Sequence, residues 1–198
     1  MTETPDDASR WTRISDPARI RAMAHPVRLD LMDHLNEVGE ATATECAAHT
    51  GESVANCSFH LRLLEKYGFI ERGEQRGREK PWRPVSRGWD MRPDPEVPGS
   101  LHAVTEIAGL HLLRETERYR EFLRQAHRED DVWIQATTLT TGEFWATVEE
   151  MAELSRDLQQ ITQRFAGRSD DPSLRPPGAR RGRLVAAVNP EPLGGEDD

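Results

Sequence analysis

Residues 42–68, TATECAAHTGESVANCSFHLRLLEKYG, decide the fold of this chain. Residues 45–49 predict a short helix that ends at Thr50-Gly51. Residues 54–67 predict a longer helix, which Ser53 caps. A short helix, a tight glycine turn and a longer helix in succession are the pattern of a helix-turn-helix. The stretch therefore predicts that motif, with the glycine at a corner whose backbone conformation other residues resist.

The longer helix carries an apolar stripe. Val54, Cys57, Leu61 and Leu64 follow one another at steps of 3, 4 and 3 residues, which is helical spacing. We expect this face to pack against a core. The polar side chains of the helix would then lie on the opposite face or at its edges.

Two further helices are predicted before this pair. Asp16-Pro17 provides an N-cap and a proline in the first turn. His25-Pro26 interrupts the helical pattern, so that a second helix begins there and ends near Gly39. Either Thr42 or Thr44 can cap the short helix that follows.

Two β-capable runs come next. Residues 69–72 and 81–85 flank a polar loop that contains glycine, residues 73–80, and this pattern predicts a hairpin. Two prolines confine the second run to a sheet edge. A helix-turn-helix followed directly by a hairpin is a winged helix.

The second half of the chain has a different pattern. Residues 92–100, RPDPEVPGS, form a linker by composition. A long helix over about 101–128 follows, and a further helix is predicted over about 142–166. Strands are predicted over 131–139 and 183–188.

These patterns predict a mainly α fold with small β content. A winged helix-turn-helix domain is followed by a helical C-terminal dimerisation domain with two short strands. The predicted parts are a disordered N-terminus (1–15), the winged helix-turn-helix domain (16–91), a linker (92–100), a helical dimerisation and effector domain (101–190) and an acidic tail (191–198).

Charge is unevenly distributed along the chain. The whole sequence has a formal net charge of −9, yet residues 53–87 carry eight basic and four acidic side chains. An acidic balance argues against loose polyanion binding by the whole surface. The basic segment favours a defined contact with phosphate, although basic side chains that only solvate a helix and a turn would give the same pattern.

Composition narrows the function classes further. The chain has two cysteines, too few for a disulfide scaffold. It has no apolar run of membrane-spanning length and no secretory signal pattern, so we expect a cytoplasmic protein. Only two of its 26 basic residues are lysine, a bias typical of a GC-rich bacterial genome. Because hydrolase, phosphate-loop and dinucleotide motifs are missing, we expect no enzyme, no catalytic residue and no cofactor.

Three linked motifs within residues 16–85 resemble the ArsR/SmtB-type winged helix-turn-helix regulators. AMAHPVRL (22–29) resembles that family's junction between its first two helices. SVANCSFHLRLL (53–64) resembles its recognition helix, typically Ser-x-x-Thr-Val-Ser-x-His-Leu-x-x-Leu, and Gly68-Phe69-Ile70 resembles the turn into the wing. The C-terminal half resembles a larger subgroup of the family. The resemblance implies a transcriptional regulator that binds double-stranded DNA, usually a repressor and a homodimer.

The resemblance and groove chemistry together nominate DNA-contacting residues. A helix fits the major groove, where Asn pairs with adenine and Arg with guanine. Basic side chains at a wing tip suit phosphate or the minor groove. The candidates are Thr44, Ser53, Asn56, Ser58, Phe59, Arg62, Arg76, Arg78 and Lys80. Ser53 as a cap alone and Phe59 packed on the wing remain alternatives, and we interpret His60 as structural.

The long C-terminal helix is more broadly apolar than one stripe needs, which predicts burial against a partner subunit. The candidate dimerisation residues are Leu101, Val104, Ile107, Ala108 and Leu112. Trp133, Phe144 and Trp145 either line a pocket for a small-molecule effector or form a structural core.

Metal sensing is common in this family, but the residues here do not favour it. The expected third helix holds Cys46 alone instead of a Cys-x-Cys pair. His102 and His111 are nine residues apart and face opposite sides of one helix, so we predict no metal site. The leading function is a DNA-binding regulator that represses until a signal releases it. A winged-helix adaptor for other proteins, or a ligand- or metal-binding protein without specific DNA binding, are the alternatives.

Overall fold

The structure, a computed structural model, describes residues 11–77, 79–86, 88–169 and 171–191. The chain divides into two compact units, Met1–Arg118 and Tyr119–Asp198. Of the sequence predictions, Arg78, residues 1–10 of the N-terminus and residues 192–198 of the tail lie outside the described residues.

The described residues are mainly helical. The helices are α1 (Pro17–Met23), α2 (Pro26–Val38), α3 (Ala43–Thr50), α4 (Val54–Lys66), α5 (Ser100–Gln125), α6 (Asp131–Gln135) and α7 (Val148–Gln160). The strands are β1 (Trp11–Ile14), β2 (Ile70–Arg72), β3 (Trp82–Pro84) and β4 (Gly88–Met91). Three single turns of 3-10 helix are also present, at Ala126–Arg128, Gln163–Phe165 and Pro172–Leu174. The predicted fold class, a winged helix-turn-helix with a helical C-terminal region, is confirmed.

Local capping explains where the helices of the motif begin. Thr42, rather than Thr44, caps α3 in a capping box with Glu45. Gly51 follows in the left-handed conformation at φ 75°, which favours glycine at this turn. Ser53 accepts a hydrogen bond of 3.1 Å from the backbone nitrogen of Asn56 and so starts α4.

The core of the first unit collects apolar side chains from α1 to α5 and the strands. Cys57, Leu61 and Leu64 are fully buried, as their spacing predicts. Val54, which the same stripe included, is exposed because it lies in the first turn, before the helix reaches its neighbours. The largest fully buried side chains include Ile20, Leu31, Leu35, Leu61, Leu64 and Phe69.

The predicted hairpin is present. β2 and β3 pair antiparallel, with Ile70 opposite Pro84 and Arg72 opposite Trp82. Trp82 also exchanges backbone hydrogen bonds of 2.9 and 3.0 Å with Ala41, which ties the wing to the segment before α3. The wing is therefore fixed to the helix-turn-helix at its base.

One strand pair was not predicted. Trp11–Ile14, assigned to a disordered N-terminus, forms β1, which pairs in parallel with β4 from Trp11 opposite Gly88 to Ile14 opposite Met91. The assignment to disorder was wrong for these four residues. A run this short is not recognisable as a strand by itself, because its partner lies far along the chain.

The long helix α5 covers most of the predicted range 101–128. Ala103 and Ile107 are buried in the core of the first unit. Arg114 forms ion pairs with Asp30 and Asp33 of α2, the latter at 2.9 Å. The first part of α5 therefore packs on the winged helix.

The dimerisation candidates on α5 occupy different environments. Ile107 is 2% exposed and packs in the core of its own chain. Val104 is half-buried, and Leu101, Ala108 and Leu112 are exposed. Only the exposed members of the set are free to meet a second subunit.

The second unit differs most from the prediction. Residues 131–135 form α6 instead of a strand, because the backbone oxygen of Asp130 accepts hydrogen bonds from the backbone nitrogens of Trp133 and Ile134 and so begins a helical turn. The helix predicted over 142–166 is the shorter α7, and residues 183–188 form no strand. The two predicted strands of this region were therefore wrong.

The side chains of the second unit are poorly covered. Among its described residues none is buried, and Trp133, Phe144 and Trp145 are all exposed. These aromatic residues thus form neither of the predicted arrangements, a pocket or a core, within this unit.

Within the part of the chain that the structure describes, no helix combines the length and apolar character needed to cross a bilayer.

Candidate nucleic-acid interface

Helix α4 is the centre of the candidate interface. Its apolar face packs in the core, where the helix contacts α2 and α3. The opposite face presents Ala55, Phe59, Arg62 and Lys66 to solvent at steps of 4, 3 and 4 residues. An exposed helical face of this kind is the geometry that enters a major groove.

Arg62 is the freest polar group on this face. It is exposed, and within the described ranges it has no hydrogen bond or ion pair. Phe59 is 56% exposed, and among the described residues its one ring contact is with His60, edge to face at 5.2 Å between centroids. Ser58 is half-buried. The face thus combines a free guanidinium with an exposed aromatic ring.

Two candidates at the start of α4 are engaged inside the domain. Ser53 Oγ accepts the capping hydrogen bond described above. Asn56 Nδ2 donates to Glu52 Oε2 at 2.8 Å. The Asn56 amide nitrogen carries two hydrogens, so this bond uses one of them and restrains the side chain.

The wing tip is fastened to α3. Arg76 lies 3.5 Å from Glu40 and 3.5 Å from Glu45. Thr44 Oγ1 donates to Glu79 Oε1 at 2.9 Å. These contacts place the start of α3 and the tip of the wing beside each other. Exposed ion pairs such as those of Arg76 are weak. The guanidinium can therefore leave these carboxylates and bind a DNA phosphate.

Thr44, Arg76 and Lys80 are all exposed in this part of the fold. The structure therefore places the described candidates of α3 and the wing tip beside each other. The sequence prediction missed Lys66, although its spacing from Phe59 and Arg62 could have revealed it.

A cluster of cationic and aromatic groups lies behind α4. Arg28 is buried and donates from Nη2 to the backbone oxygen of Arg21 at 3.2 Å. Its Nη1 lies 3.5 Å from Nδ1 of His60, and the His25 and His60 rings are 4.6 Å apart. His60 is therefore a buried neighbour of Arg28 rather than a member of the exposed face.

The surroundings of His25 and His60 in this cluster disfavour the protonated form of both histidines. Burial is the main cause that lowers the pKa of His60, and the charges of His25 and Arg28 lower it further. Burial and the charge of Arg28 lower the pKa of His25. Glu52 opposes both shifts but does not cancel them.

We expect His60→Gln to flatten the acid side of the stability profile. An unfolded histidine binds protons as the pH falls below about 6.5, whereas the folded His60 resists them. Stability is therefore full above that pH and is lost as the pH falls towards the lowered pKa. Urea denaturation between pH 5 and 7.5 measures the slope. His102→Gln, on the exposed side of α5, is the matched control, and an unchanged slope in His60→Gln would contradict the expectation.

Both cysteines are free thiols buried in the core. Burial raises the pKa of Cys46 to about 12, so its reactive thiolate form is scarce at neutral pH. Among the described residues, no group of three or more His, Cys, Asp or Glu side chains is arranged to hold a metal ion.

The helix-turn-helix region of the chain is similar to known proteins. Residues 23–73 match the sequence profile of a family described as a helix-turn-helix domain. This chain carries a helix-turn-helix domain. The match spans α2 to the end of β2, so the helix-turn-helix resemblance read from the sequence is confirmed. No curated protein matches the chain.

Several solved structures are similar to parts of the chain. The transcriptional repressor BigR from Xylella fastidiosa is 21% identical, with 48% of this chain and 82% of that chain covered and a TM-score of 0.33. The homodimeric winged helix-turn-helix DNA-binding domain of Mb0332 from Mycobacterium bovis, a possible ArsR-family regulator, is 21% identical, with 58% and 91% covered and a TM-score of 0.33. The antimony-specific repressor AntR is 21% identical, with 60% and 98% covered and a TM-score of 0.34. These similarities are too low to extend the assignment beyond the helix-turn-helix domain.

Proposed function

We propose that this protein is a sequence-specific DNA-binding transcriptional regulator of the ArsR type. It acts as a homodimeric repressor in the cytoplasm, without a catalytic role, and an unidentified signal releases it from DNA. The observation that carries the proposal is the exposed face of α4, on which Arg62 is solvent-facing and has no partner among the described residues. A free guanidinium at the centre of such a face is suited to the O6 and N7 atoms of guanine.

Charge supports the same assignment. The segment that contains α4 and the wing is the basic part of an otherwise acidic chain. The acidic remainder of the chain repels DNA, so we expect the attraction to be confined to the surface that α4 and the wing form. A basic surface on one side of the domain favours a single orientation on DNA over non-specific binding in many orientations.

Dimerisation is proposed through the exposed part of α5. Leu101 and Leu112 are large apolar side chains that lie open on this helix. A second copy that covers them would place two α4 helices on successive major grooves. A signal that alters the distance or tilt between the two α4 helices would then weaken binding.

The wing tip is proposed to hold the DNA backbone. We expect Arg76→Ala to lower affinity a few-fold for all sequences alike, and to reduce the slope of log affinity against log salt by about 1. The reason is that Arg76 exchanges weak surface ion pairs for a phosphate. Fluorescence anisotropy at several salt concentrations measures both quantities. Arg156→Ala, an exposed arginine of α7, is the control, and a loss restricted to one sequence would contradict a backbone contact.

The experiment that tests the function is a selection from genomic DNA of the source organism. Purified protein is incubated with sheared fragments, and the retained DNA is sequenced for the natural chain and for the Asn56→Ala/Arg62→Ala double variant. Discrete peaks with a two-fold related motif, lost in the double variant, are the expected result. Equal recovery by both proteins at moderate salt would overturn the proposal and favour a protein adaptor.

A further inference from the structure

The first unit contains a cavity of about 460 Å³ on the side of α2 that meets β4 and α5. This volume lies within the range of small-molecule sites. The cavity belongs to none of the elements that form the candidate nucleic-acid interface, since it borders α2, β4 and α5 rather than α3, α4 or the wing.

Its walls are largely apolar. The large aliphatic and thioether side chains of the lining are those of Met23, Leu29, Met32, Met91, Val104 and Ile107. Three of these six side chains are methionines, whose thioethers adapt to flat or irregular apolar molecules. Four of the six are buried, which gives the cavity a fixed floor.

The charge of the cavity wall disfavours anionic ligands. Asp33 and Asp90 lie in the lining, which includes no lysine or arginine. Each carboxylate already has an arginine partner outside the lining, since Asp33 pairs with Arg114 at 2.9 Å and Asp90 with Arg92 at 2.8 Å. His111 also lines the cavity, and burial lowers its pKa, which favours the neutral imidazole. An anionic ligand would therefore meet two carboxylates without a cation in the wall, whereas a neutral ligand leaves both ion pairs intact.

The indole N–H of Trp89 in the wall lacks an acceptor in the part of the chain that the structure describes. Nε1 of Trp89 is buried and has no hydrogen-bond acceptor among the described residues, and Trp89 lines the cavity. A buried donor without an acceptor is costly. A ligand oxygen brought to this wall would supply the missing acceptor.

We propose that this cavity binds a small, neutral, largely apolar molecule with a carbonyl-type acceptor oxygen. Trp89 donates to that oxygen, and the methionine-rich wall holds the hydrocarbon part. The cavity can bind a ligand whether or not the protein regulates transcription. Its role as the effector site of a DNA-binding regulator rests on the proposed function. The effect on DNA follows from position, because a ligand here sits between α2 of the helix-turn-helix and α5, the proposed dimerisation helix.

The probes are 1-tetralone, tetralin and 1-naphthoate. Tetralone and tetralin differ by the carbonyl oxygen, and naphthoate supplies the negative charge. Binding is followed in the full-length ¹⁵N-labelled protein by the indole N–H signals of its five tryptophans. The Trp89→Phe spectrum identifies the Trp89 signal by its disappearance.

We expect tetralone to shift the Trp89 signal saturably, with a Kd of about 1 mM or tighter. Tetralin should bind about 5-fold more weakly, the value of one hydrogen bond, and naphthoate at least about 10-fold more weakly. Ala108→Trp, an exposed position on the rim, should fill the cavity and abolish binding. Leu113→Trp on the same helix, 72% exposed and away from the lining, should retain it.

The absence of a saturable Trp89 shift with tetralone, or unchanged binding in Ala108→Trp, would overturn the site. Equal binding of tetralin or of naphthoate would overturn the assigned ligand class. DNA affinity is measured on the same samples. Tetralone binding without DNA binding would refute the proposed function and leave the site standing, and DNA binding without tetralone binding would do the reverse.

Discussion

Replacing Arg62 with alanine is expected to lower the affinity of the protein for its operator by about 5- to 150-fold. The estimate is the value of one bidentate arginine–guanine contact, roughly 1–3 kcal/mol. Arg62 lies on the exposed face of α4 and holds no partner within the described residues, so its loss removes a contact with DNA and disturbs nothing inside the domain.

The measurement is an anisotropy titration with the operator and with a set of single-base variants of it. Arg62→Ala should lose affinity for the operator and discriminate less at one base position, while its thermal stability stays unchanged. Arg156→Ala provides the matched loss of one exposed arginine. A uniform loss across all the variants would assign Arg62 to the phosphate backbone and refute base recognition.

Replacing Ile107 with alanine should destabilise the first unit by about 2–5 kcal/mol. The side chain is 2% exposed and is surrounded by the core, so its truncation removes apolar contacts and leaves a cavity. Because these contacts lie within one chain, the loss should not depend on protein concentration. A residue at the centre of a dimer contact would behave differently, since dilution would increase its effect.

Urea denaturation at two protein concentrations separates these cases. Leu113→Ala, on the solvent-facing side of the same helix, should change stability by no more than about 0.5 kcal/mol. Leu101→Ala and Leu112→Ala test the proposed dimer surface, and we expect them to weaken self-association in analytical ultracentrifugation. If the loss of stability in Ile107→Ala increased on dilution, Ile107 would belong to the dimer interface.

The first four helices and the wing could be predicted because their signals are local. Caps at Asp16 and Ser53, the glycine at position 51 and helical spacing in α4 each act within a few residues. The pairing of β1 with β4 could not be predicted, since Trp11 and Gly88 are far apart in the chain and neither run is distinctive by itself. The same reason explains the failure over 131–139, where β-branched and aromatic residues indicate a strand only if a neighbouring strand exists.

The candidate interface was predictable in part. The exposed position of Phe59 and Arg62 follows from the burial of the opposite stripe, which the spacing of Cys57, Leu61 and Leu64 reveals. The restraints on Asn56 and Arg76 were not predictable. The partner of Asn56 depends on the rotamer of Glu52, and Arg76 meets Glu45 only because the wing folds back on α3.

The parallel pair of β1 and β4 has a consequence for the order of folding. Contacts within and between α1, α2, α3 and α4 join residues that are closer in sequence than β1 and β4, and they can form while the chain ends are still free. The pair of β1 and β4 closes a loop that contains almost the entire winged helix, and such closures are slow to nucleate. We therefore expect β1 to dock last and to detach first, and its backbone amides to exchange hydrogen faster than those of α4.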